Sequence, residues 1–294
     1  MHLVDLDSPR AVIVISSHVA RGSVGNRAAV FALETLGHPV WAVPTVILPW
    51  HPGHGRATRI VPEPDQFAAL MKDLENARWL GEVGAVLSGY LGDARQAVAV
   101  ASLVKAVKAK NPKALYICDP VMGDSGGLYV PLETATAIRD LLMPIADIAT
   151  PNRYELEWMS GAKLDELRSV LAAALDAGPS TMLVTSAPAM TAGGTGNLLL
   201  TPSDALLAEH RIIERPPNGL GDLTAAIYLA RLLAGQPAAK ALQSTTASVF
   251  EILARTAKRG GDELQLETDA ESLSHPMAMV QLRHLVHPGK DRRA

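Results

Sequence analysis

Cysteine is almost missing from this chain. Cys118 is the only one in 294 residues, so no disulfide can form within the chain, and a reducing compartment fits. Aromatic residues make up only 4% although 48% of the residues are hydrophobic, so the core has to be built from Ala, Val, Leu and Ile. Charge of one sign is also lacking. A net charge of -3 provides no basic field for a nucleic-acid partner, and the small basic cluster at residues 290–293 reads as a solvated tail. No run of about eighteen apolar residues exists to span a membrane. Residues 1–10 hold acidic groups and no apolar stretch, so they do not read as a secretory signal. The expectation is a soluble, cytoplasmic protein with neither a nucleic-acid nor a membrane partner.

What is present is alternation. Residues 11–15, Ala-Val-Ile-Val-Ile, form a short β-branched run of the kind buried on both faces of a sheet. A helix over 25–36 follows, stopped by Gly37, then a strand over 40–43 and a loop over 44–59 rich in Pro, Gly and His. The pattern continues with helices over 64–79, 95–110, 132–143 and 164–177 and strands over 85–87, 114–118, 147–149 and 182–185. Two further strands, 197–201 and 206–212, flank a turn and predict an antiparallel edge; helices fill most of the remainder, with 264–273 weaker. Strand–helix alternation of this kind implies one α/β domain over residues 1–294, with a mostly parallel central sheet covered by helices on both faces.

The stretch from Asn218 to Ala226 organises the rest. Gly219 and Gly221 permit a tight turn, and apolar residues at helical spacing follow directly. Unpaired backbone N–H groups and the positive end of the helix dipole then face one spot, which suits an anion. Asp222 at the mouth of that site has two readings: an N-cap, or a base that accepts a hydroxyl proton during phosphoryl transfer. No G-x-G-x-x-G follows the first strand, which excludes a dinucleotide-binding fingerprint.

Several loops at strand ends, taken together, resemble one family. Ser17-His18-Val19 with Gly22, the run Gly25-Asn26-Arg27-Ala28-Ala29 with Phe31, and Leu36-Gly37 are similar to the N-terminal signature of pyridoxal kinases. So are Thr45-Val46 with His51 and Gly53, Ser88-Gly89-Tyr90, the segment from Cys118 to Asp124, Thr150-Pro151-Asn152 with Glu155, Thr185-Ser186, and the glycine turn. The resemblance runs from about Ile13 to Leu266 and implies a ribokinase-like three-layer sandwich without a separate lid domain. Two departures stand out. Leu220 occupies the position between the glycines where the wider superfamily prefers Thr, and Pro49-Trp50-His51-Pro52 is stiffer and more apolar than the polar loop expected.

The resemblance implies ATP-dependent phosphorylation of the 5′-hydroxymethyl group of pyridoxal, in vitamin B6 salvage, by a cytoplasmic homodimer using Mg²⁺. Pyridoxine and pyridoxamine are further candidate substrates. Asp222 takes the role of proton acceptor, with Gly219, Leu220 and Gly221 as the anion hole. Ser17, Thr45, His51 and Tyr90 match positions that touch the pyridoxal ring. Asp119, Asn152, Glu155, Thr185 and Ser186 match the ATP end. Asp119 and Asp124, with Glu155, match the metal site, and two carboxylates flanking a short loop suit a hard cation bound through phosphates and water. Asn152 and Glu155 are also spaced as a capping box, which needs no metal. Competing expectations are a hydroxymethylpyrimidine kinase or related small-molecule kinase of the same fold, and a protein that binds pyridoxal or its phosphate without turnover.

Overall fold

The computed structural model describes residues 10–291; the acidic start at residues 1–9, and the end of the basic cluster at 290–293, lie outside the described residues. Among the described residues nine strands form one sheet. In chain order they are β1 (Ala11–Val19), β2 (Val40–Leu48), β3 (Val83–Ser88) and β4 (Leu115–Cys118), a separate hairpin of β5 (Gly123–Asp124) and β6 (Gly127–Leu128), then β7 (Ile148–Ala149), β8 (Thr181–Pro188), β9 (Gly194–Leu200), β10 (Ala205–Arg211) and β11 (Gln281–His284). The sheet order is β11-β10-β9-β8-β7-β4-β3-β1-β2. The six strands from β8 to β2 are parallel, and β9, β10 and β11 continue the sheet antiparallel.

Alternating side chains feed two cores, as the pleat requires. On one face Ile13, Ile15, Val86, Tyr116 and Val184 pack with α2 (Pro64–Glu75), α3 (Gln96–Lys110), α4 (Leu132–Ala137), α5 (Arg153–Ser160) and α6 (Leu167–Asp176). On the other, Val12, Val14, Leu87, Ile117 and Leu183 pack with α1 (Asn26–Thr35), α7 (Leu220–Leu233) and α8 (Ala238–Lys258). This is the ribokinase-like sandwich that the resemblance implies. Helix α7 is buried on all sides from Leu223 to Arg231, because α1, α8 and the sheet enclose it.

Topology fixes where the site is. From β1 the chain goes one way to the edge strand β2, then crosses back so that β3 lies on the other side of β1. Carboxyl ends at such a switch point leave a crevice. Ser16 and Ser17 of β1, and Gly89 and Tyr90 just after β3, stand at that crevice.

Several elements differ from expectation. Strand β1 runs on to Val19, so Ser16, Ser17 and His18 lie within it; the register with β2 shifts between Ser16 and His18, and a bulge there re-aims the intervening Ser17. Strand β2 continues through Pro44 to Leu48, because an edge strand has no ladder bond to lose at that proline. Thr45 is therefore a strand residue, and the loop proper, here called the strap, covers 49–60. The single helix expected over 132–143 breaks into α4, a π-turn over Ile138–Leu142 and a 3-10 turn over Met143–Ile145 that holds Pro144. The β5–β6 hairpin and β11 carry too few residues for a periodic signal.

Candidate active site

The glycine turn opens α7. Gly219 is its N-cap in a left-handed conformation, φ 93°, and a β-carbon there would stand 2.1 Å from the Ser23 carbonyl oxygen, so only glycine fits. No side chain caps the helix, so its first N–H groups face the cleft. Asp222 is the third residue of the helix rather than its cap, which removes the N-cap reading. Gly25 has φ 54°, and a β-carbon on it would meet the Ser17 carbonyl and hydroxyl oxygens at 2.3 Å. That close approach brings β1, the start of α1 and Asp222 together. Burial pushes the Asp222 carboxyl up to about 6, against the N–H groups of Gly25 and of Asp222 itself, which favour the ionised form.

A cleft of about 1340 Å³ extends along the sheet's carboxyl edge from this turn. That is larger than one small molecule needs. Ser17, His51 and Tyr90 line one end, below β1 and β3. The Tyr90 N–H donates to Ser16 Oγ at 3.1 Å, and its carbonyl accepts from the Thr45 hydroxyl at 2.7 Å. Thr45 is fully buried and outside the lining, so it fixes the Tyr90 backbone instead of facing the cleft. His51 accepts the Gly53 N–H through Nδ1 at 3.1 Å. Burial lowers its pKa, outweighing the nearby Glu263 charge, so its ring is neutral at neutral pH. Thr185 and Ser186 line the other end, where β8 bulges between Val184 and Ala187 and Ser186 takes φ 54°, uncommon for a residue with a β-carbon.

Carboxylates gather between the two ends. Asp119 follows β4 and accepts the Thr150 hydroxyl at 2.9 Å. Burial and the charge of Asp222 push its pKa up to about 8. Asp124 sits on the β5–β6 hairpin, exposed, and accepts the Gly126 N–H at 2.7 Å. Glu155 is buried; its Oε1 accepts the N–H groups of Met122 (3.0 Å) and Gly123 (3.4 Å), and its Oε2 that of Asn152 (2.7 Å). The Asn152 side chain returns bonds to the N–H groups of Tyr154 and Glu155, completing a capping box, and also donates to the Gly123 carbonyl at 2.8 Å. Both oxygens of Glu155 are thus engaged by backbone, and the pair shapes the loop that carries Asp119 and Asp124. Among the described residues no three acidic, imidazole or thiol groups converge as a complete metal ligand set.

Comparison with known proteins decides among the kinases of this fold. Residues 64–266 match the model of the phosphomethylpyrimidine kinase family. The chain is 40% identical over 281 residues to a pyridoxal kinase, PdxY, of Rubrobacter xylanophilus, covering 93% of this chain and 97% of that protein. It is 35% identical over 281 residues to the PdxY of Corynebacterium diphtheriae, covering 93% and 99%. The chain belongs to the pyridoxal kinase family. Among solved structures it is similar to pyridoxal kinase from Leishmania donovani in complex with ADP and pyridoxamine, with a TM-score of 0.88, 29% identity, and 94% and 99% of the two chains covered.

Two residues of this pyridoxal kinase family member escape sequence reasoning. Arg59, at the end of the strap, donates to the Tyr90 hydroxyl at 3.0 Å and to the Gly92 carbonyl at 2.9 Å, with its guanidinium 5.9 Å from the Tyr90 ring centre. Tyr129 follows the hairpin and lines the cleft, half-exposed; desolvation of its hydroxyl there, then the charges of Glu155, Asp222, Asp119 and Asp124, push its pKa up. One of two arginines in a loop (Arg56 is the other) and an aromatic after two glycines carry no spacing signal.

Proposed function

We propose that this chain transfers the γ-phosphoryl group of ATP to the 5′-hydroxymethyl group of pyridoxal, as in vitamin B6 salvage. The observation that carries the reading is the position of Asp222. A carboxyl with a pKa of about 6 lies in the first turn of α7, beside the uncapped N–H groups of the glycine turn and at the β1/β3 switch point. Such a group is ionised at neutral pH and near enough to neutrality to accept a proton.

In this reading the pyridoxal ring lies at the Ser17, His51 and Tyr90 end. Tyr90 covers a ring face, held by Arg59 on its hydroxyl and by Thr45 and Ser16 on its backbone. The 5′-hydroxyl gives its proton to Asp222 while its oxygen bonds to the γ-phosphorus. The bond from that phosphorus to the β–γ bridging oxygen breaks, and ADP leaves. The N–H groups at the start of α7 hold the phosphoryl oxygens, with Leu220 contributing only backbone. Thr185 and Ser186 meet the nucleotide. Asp119 and Asp124 are the side chains suited to Mg²⁺: burial and the neighbouring Asp222 disfavour the ionised form of Asp119, and a bound cation would stabilise that form. Bound there, Mg²⁺ supplies charge neutralisation to the polyphosphate.

A binder without turnover has no use for a buried proton acceptor at the anion turn, and Asp222 is retained. The test is ATP-dependent phosphorylation measured side by side on pyridoxal and hydroxymethylpyrimidine. The reading expects clear preference for pyridoxal in kcat/KM. Preference for the pyrimidine, or no product from either, would overturn it.

A further inference from the structure

The glycine-rich turn after α8, residues 260–264, meets both the strap and the β1–α1 turn. Glu263 Oε1 lies 2.7 Å from His54 Nε2 of the strap, and the Glu263 side chain is only 11% exposed. Glu263 Oε2 accepts the Ser23 N–H at 3.4 Å, and the Ser23 hydroxyl donates to the Leu264 carbonyl at 2.9 Å. Next to it, Arg21 forks the two oxygens of Asp262 at 2.9 and 2.8 Å. Gly22 makes room for the clasp: a β-carbon there would stand 2.5 Å from Glu263 Oε1.

These two segments touch each other and the anion turn. Ser23 presents its carbonyl to Gly219 of the anion turn, and the N–H groups of Ala20 and Arg21 donate to Leu48 and Pro49 at the start of the strap. At the strap's centre, a β-carbon on Gly53 would be 3.2 Å from Asn218 Nδ2, just before the anion turn. The strap and the β1–α1 turn therefore meet at Glu263, and each also lies against the segment that carries the anion turn. The strap's internal bond, Trp50 Nε1 to the Gly55 carbonyl, does not hold it to the body. Between its ends, His54 does so through its side-chain hydrogen bond to Glu263.

We propose that Glu263 is a positioning residue that clasps the strap over the pyridoxal end of the cleft through His54, and so couples strap closure to the anion turn. The proposal rests on the kinase reading above. Phosphoryl transfer to an alcohol competes with transfer to water, so the cleft must be closed when ATP is in place. With the clasp cut, the strap opens, pyridoxal is held less well, and water takes the γ-phosphoryl group to give phosphate and ADP. Glu263, left without His54, keeps only the Ser23 N–H at 3.4 Å and Arg21 Nη1 at 4.0 Å, neither of which reaches the strap.

The experiment follows ADP release and pyridoxal 5′-phosphate formation in parallel, with saturating MgATP and varied pyridoxal. Wild type gives a ratio of the two products near unity. In His54→Ala the KM for pyridoxal rises about tenfold, within the range of coupling between contacting residues, kcat changes little, and ADP exceeds pyridoxal 5′-phosphate. Glu263→Ala shows the same pattern, and the double variant is no worse than the more affected single one. His54→Gln, which keeps a donor to Glu263, returns the ratio toward unity. His54 is a strap residue outside the cores, so its variants fold even if Glu263→Ala does not. An active wild type with unchanged KM and ratio in His54→Ala overturns the clasp alone. A wild type that makes no pyridoxal 5′-phosphate overturns the kinase reading and the clasp with it.

Discussion

Asp119 carries a large electrostatic cost in the cleft. Its carboxyl is raised from 3.8 to about 8 by burial and by Asp222, so the folded protein holds this proton more tightly than the unfolded chain does. A group shifted in that direction contributes its stability fully below the unfolded value and loses it as pH rises from about 4 through about 8. In ligand-free protein at pH 8 to 9, Asp119→Asn should therefore raise the thermal midpoint by several degrees, at roughly 2–4 °C per kcal/mol for a chain of this size. The gap should close toward pH 4, and the extra stabilisation by MgATP should be smaller than in wild type. Identical midpoints across the pH range would contradict the account of Asp119. This residue was legible because an Asp-Pro loop with a second Asp follows a strand. Glu155 was legible only as an ambiguity, since spacing cannot tell a capping box from a metal ligand; the two N–H groups of Met122 and Gly123 that occupy it come from a distant loop. Thr45 read as a ring contact, and nothing in its neighbourhood in sequence shows that its hydroxyl turns to the Tyr90 carbonyl.

At the scale of elements, the anion turn works through geometry. Gly219 must be left-handed and must lie against Ser23, whereas a β-carbon on Gly221 would meet open space. Leu220 packs at the margin of the core shared by α1, α7 and α8, and its carbonyl accepts the Thr224 hydroxyl at 2.7 Å. If the N–H groups carry the phosphate, Leu220→Thr adds at most about one hydrogen bond, on the order of 1 kcal/mol. Steady-state pyridoxal phosphorylation should then change by less than about tenfold, which is roughly 1.4 kcal/mol in the barrier. A rescue of several orders of magnitude from an inactive parent would show that Leu220 had disabled the turn. Element boundaries were read less well than element types. Pro44 looked like a strand end because the edge position of β2, where proline is tolerated, is a property of the sheet. Strand β11 is invisible for the same reason: Leu206 to Glu209 recruit residues 281–284 by pairing, and those four residues have no strand signal alone.

At the scale of the molecule, the sheet order turns scattered motifs into one site. Ser17, Tyr90, Asp119, Asn152 and Thr185 lie in the carboxyl-terminal half of, or just after, different strands, and the order β2-β1-β3-β4-β7-β8 lays them along one edge. Strand–helix alternation made that layout legible. The closing segments were not, because the contacts that residues 21–23 and His54 make with 260–264 join parts of the chain more than two hundred residues apart. What the layout positions is Asp222, and Asp222→Asn tests it most directly: turnover of pyridoxal and binding of ATP measured on the same preparation, across pH. The amide keeps the size of the side chain but cannot take the proton, so kcat should fall by about 10² to 10⁴ while ATP affinity is largely kept. In wild type, kcat/KM for pyridoxal should rise with pH through about 6, as the carboxyl ionises, and the residual activity of the variant should lack that rise. An Asn variant with near wild-type turnover would contradict the assignment of Asp222 as the proton acceptor.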